Sequence, residues 1–120
     1  MSPTGLFVAA ALFGPPVGDW RVIMTSSDGT ATVVDGASIR REGSVLTFWQ
    51  KDVHPDETIE GARIRLDCAA NTWQILYHES TDSKGRVVST LTKRLKPQEI
   101  RPGSAMEEER NRLCRVLVRN

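Results

Sequence analysis

Short stretches in which apolar and polar side chains alternate recur along the chain, and the clearest of them covers residues 62–68. One face of this stretch consists of Ile64, Leu66 and Cys68, while the other face carries Arg63, Arg65 and Asp67. Alternation with a period of two is the pattern of a β-strand that has one buried and one solvated face. The chain is therefore expected to build an antiparallel sheet that packs one face against a core.

Five other segments have β character, and short turn sequences separate them. The sequence Ser-Ser-Asp-Gly at residues 26–29 is a strong hairpin signal, because glycine tolerates the positive φ that tight turns need. Phe48 and Trp49 place an aromatic ring on each face of one segment, which predicts that this strand is central. The six predicted strands are residues 20–25, 30–35, 45–52, 62–68, 72–80 and 86–92.

A helix is predicted from Ser104 onward. Ser104 suits the N-cap position, and Glu107 three residues later completes a capping box. Acidic residues lie near the start of this segment and arginines toward its end, which matches the helix dipole. A narrow apolar stripe consists of Met106, Leu113, Cys114 and Leu117. The predicted fold class is α+β, mostly β, with an antiparallel sheet of about six strands and one C-terminal helix packed on it.

The N-terminal residues differ from the rest of the chain. Residues 6–13 read LFVAAALF, a run far shorter than the roughly 20 residues that cross a bilayer. A short apolar run followed by glycines and prolines resembles the end of a signal peptide, although no lysine or arginine precedes it. We assign residues 1–18 to a signal-peptide remnant or disordered leader and 19–120 to a single domain. The alternative is a buried first strand at residues 6–12.

Composition narrows the class of protein. A length of 120 residues fits one compact domain, and 39% hydrophobic with 26% charged residues excludes a disordered or membrane-embedded chain. Sixteen Lys and Arg against fifteen Asp and Glu leave a net charge of +1. Nucleic-acid binders usually carry a strong basic excess, so no nucleic-acid partner is expected.

The two cysteines, Cys68 and Cys114, lie on the predicted apolar faces of a strand and of the helix. Both would point into the interface between helix and sheet. Two interpretations are open: a disulfide that tethers the helix to the sheet, or two free buried thiols, since cysteine is often a small core residue. A signal-like start favours the disulfide, because disulfides persist in exported proteins.

The sequence contains no complete catalytic signature. There is no G-x-S-x-G motif, and the glycines are dispersed at turns instead of forming a phosphate-binding loop. His54 lies in a polar loop, and His78 is placed on the strand face opposite Trp73, Ile75 and Tyr77. We interpret both histidines as solvated side chains, not as a base or zinc ligands. A non-enzymatic protein without a cofactor or a metal is expected.

Basic residues supply the candidate binding surface. Arg63 and Arg65 lie on the exposed face of their strand, and a basic stretch precedes the helix. The candidate residues are Arg63, Arg65, Lys93, Arg94 and Lys96. They would attract a heparin-like or other anionic partner. The alternative is a solvated surface without a partner.

An ordered series of residues runs through almost the whole predicted domain. It consists of Trp20, the Ser-Asp-Gly hairpin, Asp35, Ser38–Arg41, Trp49, Asp67-Cys68, the strand with Tyr77, Asp82 with Gly85, Ile100, Pro102-Gly103-Ser104 and Cys114. This series resembles the surface-adhesin protein E family of small exported bacterial proteins. The resemblance implies a sheet with a C-terminal helix tethered by a disulfide, and adhesion to host matrix proteins.

Two functions follow as hypotheses. The first is an exported, non-enzymatic binding module in the periplasm or outside the cell, with extracellular matrix or envelope proteins as partners. The second is a structural or envelope-interaction protein that acts as a homodimer through a sheet edge. Neither hypothesis includes a nucleic acid, a cofactor or a membrane span.

Overall fold

The computed structural model describes residues 18–119, with side chains up to Arg115. The predicted leader therefore lies, except for Gly18, outside the described residues. The elements in chain order are β1 (Trp20–Thr25), β2 (Ala31–Asp35), a short 3-10 turn (Gly36–Ser38), β3 (Arg40–Glu42), β4 (Val45–Val53), β5 (Ile59–Asp67), β6 (Thr72–Thr81), β7 (Val87–Leu91), β8 (Gln98–Glu99) and α1 (Ala105–Arg119). The mostly-β fold with a C-terminal helix is confirmed.

The strands form one antiparallel sheet in the order β1-β2-β4-β5-β6-β7. Two short strands lie off this path: β3 pairs with the start of β4, and β8 pairs with the start of β6. The six long strands are those that the sequence predicts, and the two short ones raise the total to eight. As predicted, β4 is central, because it has partners on both sides.

The core lies between the sheet and α1. The register places Leu46 opposite Leu66 and Phe48 opposite Ile64, and all four side chains are buried. Residues from α1 and the segment before it, including Leu113, complete the same cluster. The predicted alternation of β5 is confirmed, although the strand begins at Ile59 and the preceding loop is correspondingly shorter.

α1 begins with the predicted capping box, but one of its two hydrogen bonds is shifted by one residue. The Glu107 amide donates to Oγ of Ser104 at 3.1 Å, as in a capping box. The Glu107 carboxylate accepts from the Gly103 amide at 2.8 Å, one residue before the cap itself. Met106 and Leu113 pack against the core as the apolar stripe predicts, and the side chain of Leu117 lies outside the described residues.

Cys68 and Cys114 form a disulfide, with a Cα–Cα distance of 5.9 Å. The first cysteine directly follows β5, and the second lies on the inner face of α1. An Arg110 guanidinium N–H also donates to the Cys68 carbonyl oxygen at 3.2 Å. The predicted tether between helix and sheet is therefore confirmed, and the alternative of two free thiols is wrong.

A β-bulge at Leu76 changes which residues of β6 share a face. Ile75 lies opposite Ile64, whereas Tyr77 lies opposite Arg63, so Leu76 is an extra residue between two pairs. The prediction that Tyr77 shares a face with Trp73 and Ile75 is therefore wrong. A bulge advances the alternation by one residue, which moves Tyr77 to the far side of the sheet and His78 to the helix side.

Candidate functional site

The side of the sheet opposite α1, called the open face below, carries a row of two aromatic rings and an arginine. Register places Arg63 of β5 between Trp49 of β4 and Tyr77 of β6. The two ring centroids are 5.8 Å apart in an edge-on arrangement, and the Arg63 guanidinium lies 5.9 Å from the Trp49 ring. The exposed Arg63 thus makes a cation–π contact with the Trp49 ring, worth about 0.5–1 kcal/mol at such sites.

Arg65 extends this row along β5. It lies two residues from Arg63 on the same strand and therefore on the same face. Gln74 is its direct neighbour on β6. The open face thus presents both predicted arginines side by side.

The basic segment, Lys93–Lys96, is held against the edge of β6 beside Gln74. The Leu95 amide donates to the Ile75 carbonyl at 3.0 Å, and the Gln74 side-chain amide donates to the Leu95 carbonyl at 3.0 Å. Lys93, Arg94 and Lys96 are all exposed. The structure therefore places the basic segment one strand away from Arg65, at one end of the open face.

None of these five cations forms an ion pair in the described part of the chain, although the charge of Arg65 helps to lower the pKa of Asp67, two residues along β5. Its ion pairs join Asp19 to Arg21, Glu60 to His78, Asp82 to Arg86 and Glu108 to Arg112. Among residues 18–115, none of these four ion pairs includes Arg63, Arg65 or the basic segment. Their positive charge is consequently not neutralised by an ion pair within that region. Their role in binding stays a prediction.

A second candidate site, which the sequence did not indicate, is a cleft between α1 and the sheet with a volume of about 470 Å³. Three carboxyl groups line it, one from each of three elements: Asp52 on β4, Glu60 on β5 and Glu109 on α1. Apolar side chains, including Trp73 and Met106, form other parts of its wall. The described residues that line the cleft include no lysine or arginine. The cleft is therefore acidic, in contrast to the open face.

Asp52 and Glu60 lie directly opposite each other in neighbouring strands, and each has a hydroxyl donor. Thr32 donates to Asp52 Oδ1 at 2.8 Å, and Ser80 donates to Glu60 Oε1 at 2.9 Å. The pKa of Asp52 is raised, chiefly because the group is partly buried. Like charges on opposed strand positions repel, so these hydroxyl contacts partly offset an unfavourable pair.

His54 lies in the predicted loop, whereas His78 lies on the opposite face of its strand from the one expected. His78 Nε2 is 2.8 Å from Glu60 Oε1, and the imidazole is only 30% exposed. Its interpretation as a solvated side chain is wrong, because the bulge at Leu76 turns it into the cleft. His54 is half-buried, and its Nδ1 lies 3.1 Å from the Thr30 hydroxyl.

Glu109 is the most deeply buried of the three carboxyl groups in the cleft. Its side chain is 2% exposed, and burial raises its pKa to about 8, with a further contribution from the negative charge of Asp52. With its amide nitrogen turned toward the helix, Gln50 donates to Glu109 Oε1 at 3.2 Å and also contacts Oε2. Glu109 is therefore mostly protonated at neutral pH. Within residues 18–115, no group of three or more His, Cys, Asp or Glu side chains is arranged to hold a metal ion.

A family model described as surface-adhesin protein E matches residues 20–115. The chain belongs to this family. No curated protein and no solved structure shows a significant match to it. Membership in the surface-adhesin protein E family implies an exported protein that binds molecules of a host or of the cell envelope. Over the described residues, α1 lacks the length and apolar character that a membrane span requires.

Proposed function

We propose that this protein is an exported, non-enzymatic binding module that attaches to acidic segments of extracellular matrix proteins through its open face. The observation that carries the proposal is the pair Arg63 and Arg65, which lie beside the basic segment and form no ion pair within the described residues. Membership in a family of surface adhesins supports a binding role.

The chemistry of the open face favours an acidic protein partner. Arginine, tryptophan and tyrosine are the residues that most often dominate the energy of protein interfaces, and here Arg63 contacts the Trp49 ring, which in turn contacts Tyr77. Arginine also binds carboxylates through two parallel hydrogen bonds, which gives direction as well as attraction. A sheet face is broad enough for an extended segment to lie across several strands.

The test is binding of the purified domain to a panel of immobilised matrix glycoproteins, with heparin as a separate ligand. We expect saturable binding to a matrix protein that weakens as salt is raised, because exposed charges are screened. The double variant Arg63→Ala/Arg65→Ala should weaken it at least about tenfold, the equivalent of about 1.4 kcal/mol.

A matched control variant removes the same charge elsewhere. Arg86, in the turn between β6 and β7, and Arg115, on α1, are both exposed, and Arg86→Ala/Arg115→Ala should leave the affinity nearly unchanged. Equal losses in both double variants would mean that net charge, not the open face, controls binding. Absence of saturable binding to every matrix protein would count against the adhesion proposal, and binding to heparin alone would replace it with a glycan partner.

A homodimer through a sheet edge is the second candidate, because one edge strand is unusually exposed. All five residues of β7 are exposed, with Val88 64% and Val87 47% exposed. An edge strand with exposed apolar side chains is a template for pairing with a second chain. Sedimentation at several concentrations tests this candidate: Val88→Lys should convert a dimer into a monomer, and a strictly monomeric wild type would exclude it.

A further inference from the structure

A carboxyl group lies in the middle of the apolar face of α1. Met106, Glu109 and Leu113 follow one another along the inner side of the helix, at spacings of three and four residues. The flanking side chains pack on the core, yet the residue between them is an acid that is almost fully buried. A buried carboxylate is stable only with a cation or several donors, whereas a neutral acid needs a single partner.

The strands that pack against α1 present polar groups to Glu109. Most of these groups are acidic or already have another hydrogen-bond partner. From β4 come Gln50 and Asp52, from β5 Glu60 and from β6 His78. The imidazole of His78 is engaged by Glu60. Thr32 on β2, which also lines the cleft, donates its hydroxyl to Asp52.

The charged neighbours of Glu109 on its own helix are directed elsewhere. Arg110 donates to the Cys68 carbonyl and to Asn111. Glu108 and Arg112 pair with each other on the exposed side of α1. Gln50 is consequently the direct hydrogen-bond partner of Glu109 among the described residues.

The amide of Gln50 matches the neutral form of Glu109. One atom of the Gln50 amide lies against both Glu109 oxygens, so the amide provides a single partner. A neutral acid is satisfied by one such partner, because it can donate its O–H to the amide oxygen or accept from the amide N–H₂, whereas a buried carboxylate needs a cation or several donors. The ionised form loses the O–H donor and adds a negative charge beside Asp52. We propose that protonated Glu109 and Gln50 form a latch that holds the N-terminal turns of α1 over the cleft, and that release of one proton opens these turns.

The disulfide restricts this opening to one end of the helix. Cys114 lies five residues after Glu109 and is bonded to Cys68 at the end of β5, so the middle of α1 stays on the sheet. The first turns carry the cap at Ser104, the packing of Met106 and the latch, and Arg110 at their end donates to the Cys68 carbonyl beside the disulfide. Opening would expose Met106 and the cleft residues Trp73 and Ile75 to solvent.

Amide hydrogen exchange of residues 105–110 between pH 5 and 9 tests the latch, after correction for the intrinsic rate. Glu109 binds its proton more tightly when the latch is closed, so opening releases a proton. The opening constant should rise about tenfold per pH unit between about pH 5 and about pH 8, and then level off. Strand β5 should keep its protection over the same range.

Glu109→Gln mimics the neutral acid and should remove the pH dependence while keeping the helix closed. Glu108→Gln is the matched control, because Glu108 is exposed on the same turn, and it should retain the wild-type profile. A wild-type profile in Glu109→Gln, or equal loss of protection in helix and sheet, would overturn the latch. Carbon-13 NMR of the wild-type carboxyl gives a second readout: a midpoint near 8 is expected, and one near 4.5 would also overturn it.

Discussion

The disulfide between Cys68 and Cys114 should contribute a large share of the stability of the domain. The crosslink joins residues 46 positions apart, and the chain-entropy model gives about 4 kcal/mol for a loop of that length. Domains of this size are usually stable by only about 5–15 kcal/mol. Loss of the crosslink, by reduction or in the variant Cys68→Ala/Cys114→Ala, is therefore expected to lower the free energy of unfolding by about 4 kcal/mol.

The loss should not be distributed evenly over the structure. A fifteen-residue helix is marginal in water on its own, and without the crosslink α1 keeps the packing of its narrow apolar face and a few side-chain hydrogen bonds to the sheet. Strand β5 is paired along its whole length with both β4 and β6. Helix amides should therefore lose exchange protection while the amides of β5 keep most of theirs.

Urea unfolding of the oxidised and reduced wild type, followed by circular dichroism, measures the total effect. The double alanine variant under oxidising conditions is the control for the reductant. A difference below about 1 kcal/mol would refute the loop-entropy argument, which predicts about 4. Simultaneous loss of protection in α1 and β5 would refute the argument that the tether serves mainly the helix.

Substitutions at two further positions each test one feature of the fold: the N-cap of α1 at Ser104 and the burial of Trp49. Ser104→Ala removes the acceptor for the Glu107 amide and should cost about 1 kcal/mol in urea unfolding, whereas Ser104→Gly should cost only a few tenths. Trp49→Ala should cost less than the roughly 3–5 kcal/mol of a fully buried aromatic, because Trp49 is half-buried on the open face. A loss of roughly 3–5 kcal/mol in the free energy of unfolding would mean that the Trp49 side chain is fully buried.

Much of the fold could be predicted from local patterns. The alternation around Leu66 and the aromatic on each face of β4 identify strands, because the period of two is a property of the strand itself. The cap at Ser104 is equally local. The short strands β3 and β8 were not predicted, since two or three residues are too few to show a period.

The features of the cleft could not be predicted, because they depend on tertiary contacts. The bulge at Leu76 has no glycine to mark it, yet it decides that Tyr77 joins the open face and His78 the cleft. Glu109 follows two other glutamates at the start of a helix, where an acid normally stays in solvent near the positive end of the dipole. Only the docking of α1 on Gln50 shows that this glutamate is buried.

The order of the strands also has a consequence for how the chain folds. Most neighbours in the sheet are neighbours in sequence, since β1, β3, β4, β5 and β6 each pair with the next strand along the chain. Such local pairing lowers the contact order, which favours rapid folding. The sheet can therefore assemble hairpin by hairpin before α1 docks. Closure of the disulfide would then be the last step, because it joins the final element to a strand that is already in place.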